Sequence, residues 1–109
     1  MSRAVRDNAA ENRYEIYEDG QLAGFTDYKI TGDRIAFIHT ETLKGFTGRG
    51  VAHQLIAEEL AEARTRHLAV LPYCPVVRDT IAHHPDEYLD LVPAHYRERF
   101  DLPVAPEKA

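Results

Sequence analysis

Three of the chain's six glycines fall in the run Lys44-Gly45-Phe46-Thr47-Gly48-Arg49-Gly50, directly ahead of a stretch with helical periodicity. Glycines in front of a helix can hold an anion. The first turn of a helix carries unpaired N–H groups and a partial positive charge. Glycine at 48 and 50 lets a ligand approach the backbone, and Lys44 and Arg49 add full charges. The segment suits a phosphate or pyrophosphate. A glycine turn that only happens to precede a helix is the competing reading. The run is not a P-loop, which ends in Gly-Lys-Ser/Thr, nor the GxGxxG of dinucleotide folds.

Cys74 is the only cysteine, and it stands between a short apolar run and a second helical stretch. A thiol near a helix N-terminus ionises more readily. That suits a covalent acyl carrier or a mixed disulfide with a thiol ligand. A small buried apolar residue is the alternative. His39 is of the side-chain type that titrates near neutrality and can take a proton from an ammonium group. Glu41 shares its strand face by alternation and can share that role; a structural histidine is the alternative. His83 and His84 read as charges at a helix C-terminus. No other Cys or His stands at ligand spacing from them, so no metal site is expected. His53 and His67 read as solvent-facing, and Tyr28 and Tyr73 as pocket or core.

These residues need elements to position them. Residues 1–12 are polar and read as a loose arm or the lead-in to a first strand. Tyr14 and Ile16 alternate, Asp19-Gly20 is a turn, and Gln21 to Tyr28 resumes extended character, which together make a hairpin. Gly24 inside the second run points to a bulge or a close backbone approach. After Gly32-Asp33, Ile35 to Thr42 reads as a third strand. Val51, Ala52, Leu55, Ile56, Leu60 and Ala63 then recur at helical spacing. Glu58, Glu59 and Glu62 are expected on the solvated face, with Glu62 and Arg66 as an i,i+4 pair. That helix should end near His67. Leu68 to Leu71 reads as a buried strand, Val76 to His83 as a helix opened by Pro75, and Ala94 to Phe100 as a short helix. The expected fold is α+β: an antiparallel meander followed by a β-α-β-α unit whose last strand is parallel.

The motifs taken together resemble a known family. Thr47-Gly48-Arg49-Gly50-Val51-Ala52 is similar to the acetyl-CoA pyrophosphate loop of the GNAT N-acetyltransferase superfamily, Gln/Arg-x-x-Gly-x-Gly/Ala. His39-Thr40-Glu41, Pro72-Tyr73-Cys74, His84-Pro85 and Tyr88-Leu89-Asp90-Leu91 follow the order seen in small, minimal GNAT-like proteins. The resemblance covers about residues 12–92. It implies a minimal GNAT fold whose last strand is splayed, and acetyl-CoA as co-substrate. The loop amides Gly48, Arg49, Gly50, Val51 and Ala52, with Thr47, would hold the pyrophosphate. The strand end Thr40, Glu41 and Thr42 would pair with the pantetheine arm. Cys74 and His39 would be catalytic. Thr47 stands where the signature has Gln or Arg. The tyrosine that many GNAT enzymes use to protonate the leaving thiolate would fall at Thr80 or Ile81, and neither is a tyrosine.

Length and charge bound the rest. The 109 residues carry 13 Lys+Arg against 18 Asp+Glu, a formal net charge of -5, which argues against broad nucleic-acid binding. No apolar run is long enough for a transmembrane helix, so no membrane association is expected. The N-terminus lacks a signal-peptide core, and one cysteine fits a reducing cytoplasm. The chain is expected to be a single acetyl-CoA-binding domain over 1–109, with its core at 12–92 and a flexible tail from about 101 to 109, as a monomer or weak dimer. The function expected is acetyl transfer from acetyl-CoA to an amine acceptor, a small molecule or a protein lysine. The alternatives are a CoA-binding module with little turnover, and an interaction protein whose loop binds a phosphorylated partner.

Overall fold

A computed structural model describes residues 2–103 of the chain. It contains one mixed sheet in the order β1-β2-β3-β4-β5. The strands are β1 (Arg3–Asn8), β2 (Arg13–Glu18), β3 (Gln21–Thr31), β4 (Arg34–Thr42) and β5 (Ala69–Pro72). The first four pair antiparallel, and β5 joins β4 in parallel. The expected meander of three strands is therefore four. The polar segment at the start is a true edge strand, paired from Arg3↔Glu18 to Asn8↔Arg13. Its side chains alternate between exposed and half-buried, so it lacked an apolar signal.

Turn chemistry sets the register. Asp19 and Gly20 both have positive φ, 50° and 84°, as a two-residue hairpin turn requires. The β2–β3 register skips Ala23 between Leu22↔Tyr17 and Gly24↔Ile16. A Cβ on Gly24 would lie 2.8 Å from the carbonyl oxygen of Glu41, so the bare backbone here lets β3 and the end of β4 approach closely.

Helix α1 (Val51–Thr65) lies on one face of this sheet. It buries Val51, Leu55, Ile56, Leu60 and Ala63 in one core with Tyr14, Ile16, Ile35, Phe37 and Val70. Each buried Val, Leu, Ile or Phe side chain among them contributes roughly 1.5–3 kcal/mol by leaving water. Glu59 is inside as well, with no exposed surface, contrary to the solvated face expected for it. It belongs to the i+4 row 51-55-59-63, whose other three members are all apolar. The helix ends in a left-handed His67 (φ 57°), with the Leu68 N–H bonded to Ala63 O and the His67 N–H to Arg64 O. Arg66 hydrogen-bonds the Tyr14 hydroxyl (3.2 Å) and Asp7 Oδ2 (3.3 Å) rather than forming the expected pair with Glu62.

Helix α2 (Pro75–His83) opens on Pro75 and turns Val77 and Ile81 inward. Two short helices, α3 (Pro85–Tyr88) and α4 (Ala94–Arg97), and three-residue 3₁₀ turns carry Leu89, Leu91, Val92, Phe100 and Leu102 onto the core. Packing thus continues to Leu102, inside the segment expected to be a flexible tail; the rest of that expectation, from 104, lies outside the described residues. Among the described residues no helix is long and apolar enough to cross a membrane.

Candidate active site

The site is built where β4 and β5 part. Their pairing runs from Arg34↔Ala69 to Phe37↔Pro72 and stops. The chain then turns away, tied back by the Cys74 N–H donating to Phe37 O at 2.8 Å. β4 runs on to Thr42, bonded to β3 on one side only. The other edge of 38–42 faces the splay with no strand against it.

A β-bulge decides which side chains point where. The β3–β4 register passes from Tyr28↔Phe37 to Asp27↔His39 and skips Ile38. One extra residue reverses the alternation of the strand. Phe37 faces the helices; beyond the bulge Thr40 and Thr42 do so, and His39 and Glu41 take the opposite face. Thr40 Oγ1 lies 3.2 Å from Cys74 Sγ and 3.1 Å from Thr26 Oγ1. On the other face His39 Nε2 is 3.2 Å from Glu41 Oε1, both side chains half-exposed, and the imidazole meets the Phe25 ring edge-on. The sequence reading set His39 and Cys74 in one catalytic site; the structure puts them on opposite sides of the same strand.

The glycine loop ends at the N-terminus of α1. Gly45, Gly48 and Gly50 have φ of 95°, 78° and 75°. A Cβ at any of the three would meet no atom within 4 Å, so the loop is open on that side. Gly50 is the N-cap, with no side-chain acceptor and no acidic residue in the first turn. The first bond inside the helix is Gln54 N–H to Gly50 O, so Val51, Ala52 and His53 have N–H groups without helical acceptors. This fits an anion. Thr47, in the signature's first position, is exposed. Arg49 turns toward the sheet and pairs with buried Glu18. Arg3 joins them, donating to Glu18 Oε1 (2.9 Å), to Gln54 Oε1 (3.2 Å) and to the Arg49 carbonyl (2.8 Å). The first strand thus clamps the base of the loop.

Four functional candidates were not visible as such in the sequence: Arg3, Glu18, Thr26 and Glu59. Desolvation pushes the Glu59 carboxyl up to about 8, and the Thr26 hydroxyl pulls the other way. Neither Glu59 oxygen meets hydrogen-bond geometry, so Thr26 is a neighbour within reach rather than a formed partner. The row 51-55-59-63 was the available signal for Glu59. No tyrosine takes the place of the missing general acid: Thr80 bonds the Val76 carbonyl at 3.0 Å and Ile81 is core. A concavity of about 880 Å³ between α1 and the segment after α2 is lined by Arg64, Glu87, Asp90 and Arg97 among others and shares no residue with the loop, β4 or Cys74. Both of its arginines are already bonded, Arg64 to Asp90 and Arg97 to the Val92 carbonyl (2.8 Å), so the splay rather than this groove is the candidate site.

No curated protein matches the sequence. Among solved structures, the ribosomal-protein-alanine N-acetyltransferase from Brucella melitensis biovar Abortus 2308 superposes with a TM-score of 0.52 at 18% identity, over 74% of this chain and 61% of that one. Ard1 from Thermoplasma volcanium gives a TM-score of 0.47 at 17% identity, over 54% of this chain and 40% of that one. The chain therefore spans less than two thirds of either structure, and the first likeness shows a shared fold. The sequence profile described as GCN5-related N-acetyl-transferase matches residues 13–91, from the start of β2 to beyond α3. With most of its length matched, the chain belongs to the GCN5-related N-acetyl-transferase family.

Proposed function

We propose that the protein is an acetyl-CoA-dependent N-acetyltransferase that moves an acetyl group to an amine, with residues 1–109 as one acetyl-CoA-binding domain. The observation that carries this reading is a juxtaposition at one end of the sheet. An uncapped helix N-terminus, an unpaired strand edge and a single buried thiol meet there. The amides from Gly48 to Ala52 hold the pyrophosphate. The free edge at Thr40, Glu41 and Thr42 pairs with the amides of the pantetheine arm as an added strand would. The exposed large apolar side chains, Ile38, Tyr73 and Val76, flank this end of the splay and cover the arm's apolar stretches. The thioester supplies an activated acyl carbon.

The two faces of β4 divide the remaining work. Cys74 lines the acyl end on the helix side and takes the acetyl group as a nucleophile or bounds its pocket. His39, oriented by Glu41, accepts the proton of an ammonium acceptor arriving at the open face. The net charge of -5 favours a cationic acceptor, a small amine or a protein lysine. A free thiol at the site fits a reducing compartment such as the cytoplasm.

Titration calorimetry with CoA and acetyl-CoA tests the binding half. Affinity weaker than about millimolar for both refutes it. Labelled acetyl-CoA followed by mass spectrometry then asks whether the label reaches Cys74 or only an added amine. A second reading, CoA binding with little turnover, is favoured by Thr80 and Ile81 standing where a general acid is usual. It predicts tight binding with no CoA-thiol release above background on an amine panel.

A further inference from the structure

Among the described residues three carboxylates are buried, and two have evident reasons to be. Glu15 accepts from Asn8, Arg13 and Tyr17, and Glu18 pairs with Arg3 and Arg49. Glu59 has no cation and no formed hydrogen bond. A leucine there would pack as Leu55 and Leu60 do, without the cost of an unpaired buried carboxyl. What distinguishes its position is the polar file beside it. Thr26, fully buried, is the only side chain that acts on the carboxyl. From Thr26 the hydroxyls step to Thr40 in 3.1 Å and from Thr40 to Cys74 Sγ in 3.2 Å.

We propose that Glu59 and Cys74 share one proton through the hydroxyls of Thr26 and Thr40, with Glu59 receiving the thiol proton when Cys74 becomes a nucleophile. The use in the last clause rests on the acyl-transfer reading above; the sharing itself does not. The transfer is balanced. Once Glu59 has released its own proton to solvent, as it does near pH 8, the S–H proton passes to Thr40 Oγ1, the Thr40 proton to Thr26 Oγ1, and the Thr26 proton to the Glu59 carboxylate. The products are a thiolate and a neutral carboxylic acid, and each threonine ends with one proton as it began. The last link closes by rotation of the carboxyl or through one buried water. With that link closed, both end states are fully hydrogen-bonded. With Glu59 neutral, every donor in the file points at the sulfur; with Glu59 ionised, every donor points at the carboxylate. Two negative charges on one buried file are disfavoured, so the groups titrate as a pair. Glu59 is a positioning residue here, because it reaches the reacting sulfur only through others.

Other charges near α1 are accounted for. On the sheet face below it, β2 and β3 present Tyr14 and Tyr28, tied to Arg66 and to Asp7 of β1. Glu18 of β2 is held by Arg3 and Arg49. The helix-facing residues of β4 and β5, Ile35, Phe37 and Val70, carry no charge, and α2 turns Val77 and Ile81 inward. None of these charged groups contributes to the perturbation of Glu59.

Because the chain has a single cysteine, thiolate absorbance near 240 nm reports on Cys74 alone once a parallel titration of Cys74→Ser removes the tyrosine background. No acetyl-CoA is present, so failure of the acyl-transfer reading leaves this test standing. The expected wild-type profile has two steps about one pH unit or more apart, the sign of a coupled pair. Glu59→Gln, which keeps shape and a donor to Thr26 but cannot ionise, should give one step, complete at lower pH. Thr40→Val cuts the file in the middle and should also give one step, which keeps the test valid if Glu59→Gln folds poorly. A Glu59 that only fills space would leave the thiolate profile unmoved. Superimposable profiles for wild type and either variant overturn the proposal.

Discussion

Glu59→Gln should make the protein more stable, by an amount that depends on pH. The folded carboxyl is pushed up to about 8 from an unfolded reference of 4.5, because burial disfavours its charged form. The folded state therefore holds a proton that the unfolded state releases between those two values. Stability from this group is complete below pH 4.5 and is lost as pH rises toward 8. Glutamine is neutral throughout and escapes the loss. The variant's advantage should be near zero at pH 4, grow by about 1.4 kcal/mol per pH unit, reach roughly 3 kcal/mol at pH 7 and level off near 5 kcal/mol above pH 8. Urea unfolding of both proteins from pH 4 to 9 measures it. With an m-value of about 1.5 kcal/mol/M for a chain this size, the midpoint at pH 7 should rise by about 2 M. Imperfect fit of the amide would add an offset that is the same at every pH, so the slope is the diagnostic quantity. A difference that stays flat from pH 4 to 8 would show that Glu59 titrates like an exposed carboxyl, and the desolvation argument would be wrong.

Other outcomes follow from contacts around the loop and the splay. Arg3→Ala leaves buried Glu18 with Arg49 alone and frees the Arg49 carbonyl; it should cost about 1–3 kcal/mol in stability and weaken CoA affinity measured by calorimetry. Gly24→Ala would drive a methyl against Glu41 O at 2.8 Å, a backbone contact that cannot yield locally. It should cost about 1–3 kcal/mol in thermal unfolding, and an unchanged melting temperature would contradict the close approach of β3 and β4. Gly50→Ala meets no neighbour but must hold φ near 75°, so about 1–2 kcal/mol of strain is expected, together with a tenfold or larger loss of CoA affinity. His39→Ala should lower kcat by about a hundredfold or more with little change in the acetyl-CoA KM; an equal effect on both would point to binding rather than proton transfer.

The elements were legible wherever one physical signal dominated. The period of α1 and Pro75 at the first turn of α2 each led to an element observed within a residue or two of its expected limits, and the Asp19-Gly20 turn to a hairpin whose second strand runs three residues past Tyr28 to Thr31. β1 was not legible, because the edge strand Arg3-Ala4-Val5-Arg6-Asp7-Asn8, with Val5 its one large apolar residue, has no apolar face to announce it. Its contribution is polar and long-range: Arg3 and Asp7 reach Glu18, Gln54, Tyr28 and Arg66, partners from 15 to 59 residues away. No local window of sequence contains those pairs.

The candidate residues stand out in the sequence but their geometry does not, and one residue explains the gap. Strict alternation along β4 would put His39 on the face of Phe37, toward Cys74, and leave Thr40 outside. Skipping Ile38 exchanges them. The bulge cannot be read from Ile35-Ala36-Phe37-Ile38-His39-Thr40, since nothing in that run breaks a strand; it shows only in the pairing with β3, which continues on both sides of Ile38. Its consequence is chemical. The threonine now sits between a buried acid and the only thiol, and the histidine faces the side an acceptor can approach. Deleting Ile38 should therefore spare the site. The pairs Tyr28↔Phe37 and Asp27↔His39 would become consecutive, and simple alternation would keep Phe37 and Thr40 inward and His39 outward, so the Thr40–Cys74 contact would persist. Circular dichroism near that of the wild type, with the two-step thiolate profile retained, is the expected pair of results. Loss of the two-step profile would mean that Ile38 does more for the site than set the facing of Thr40.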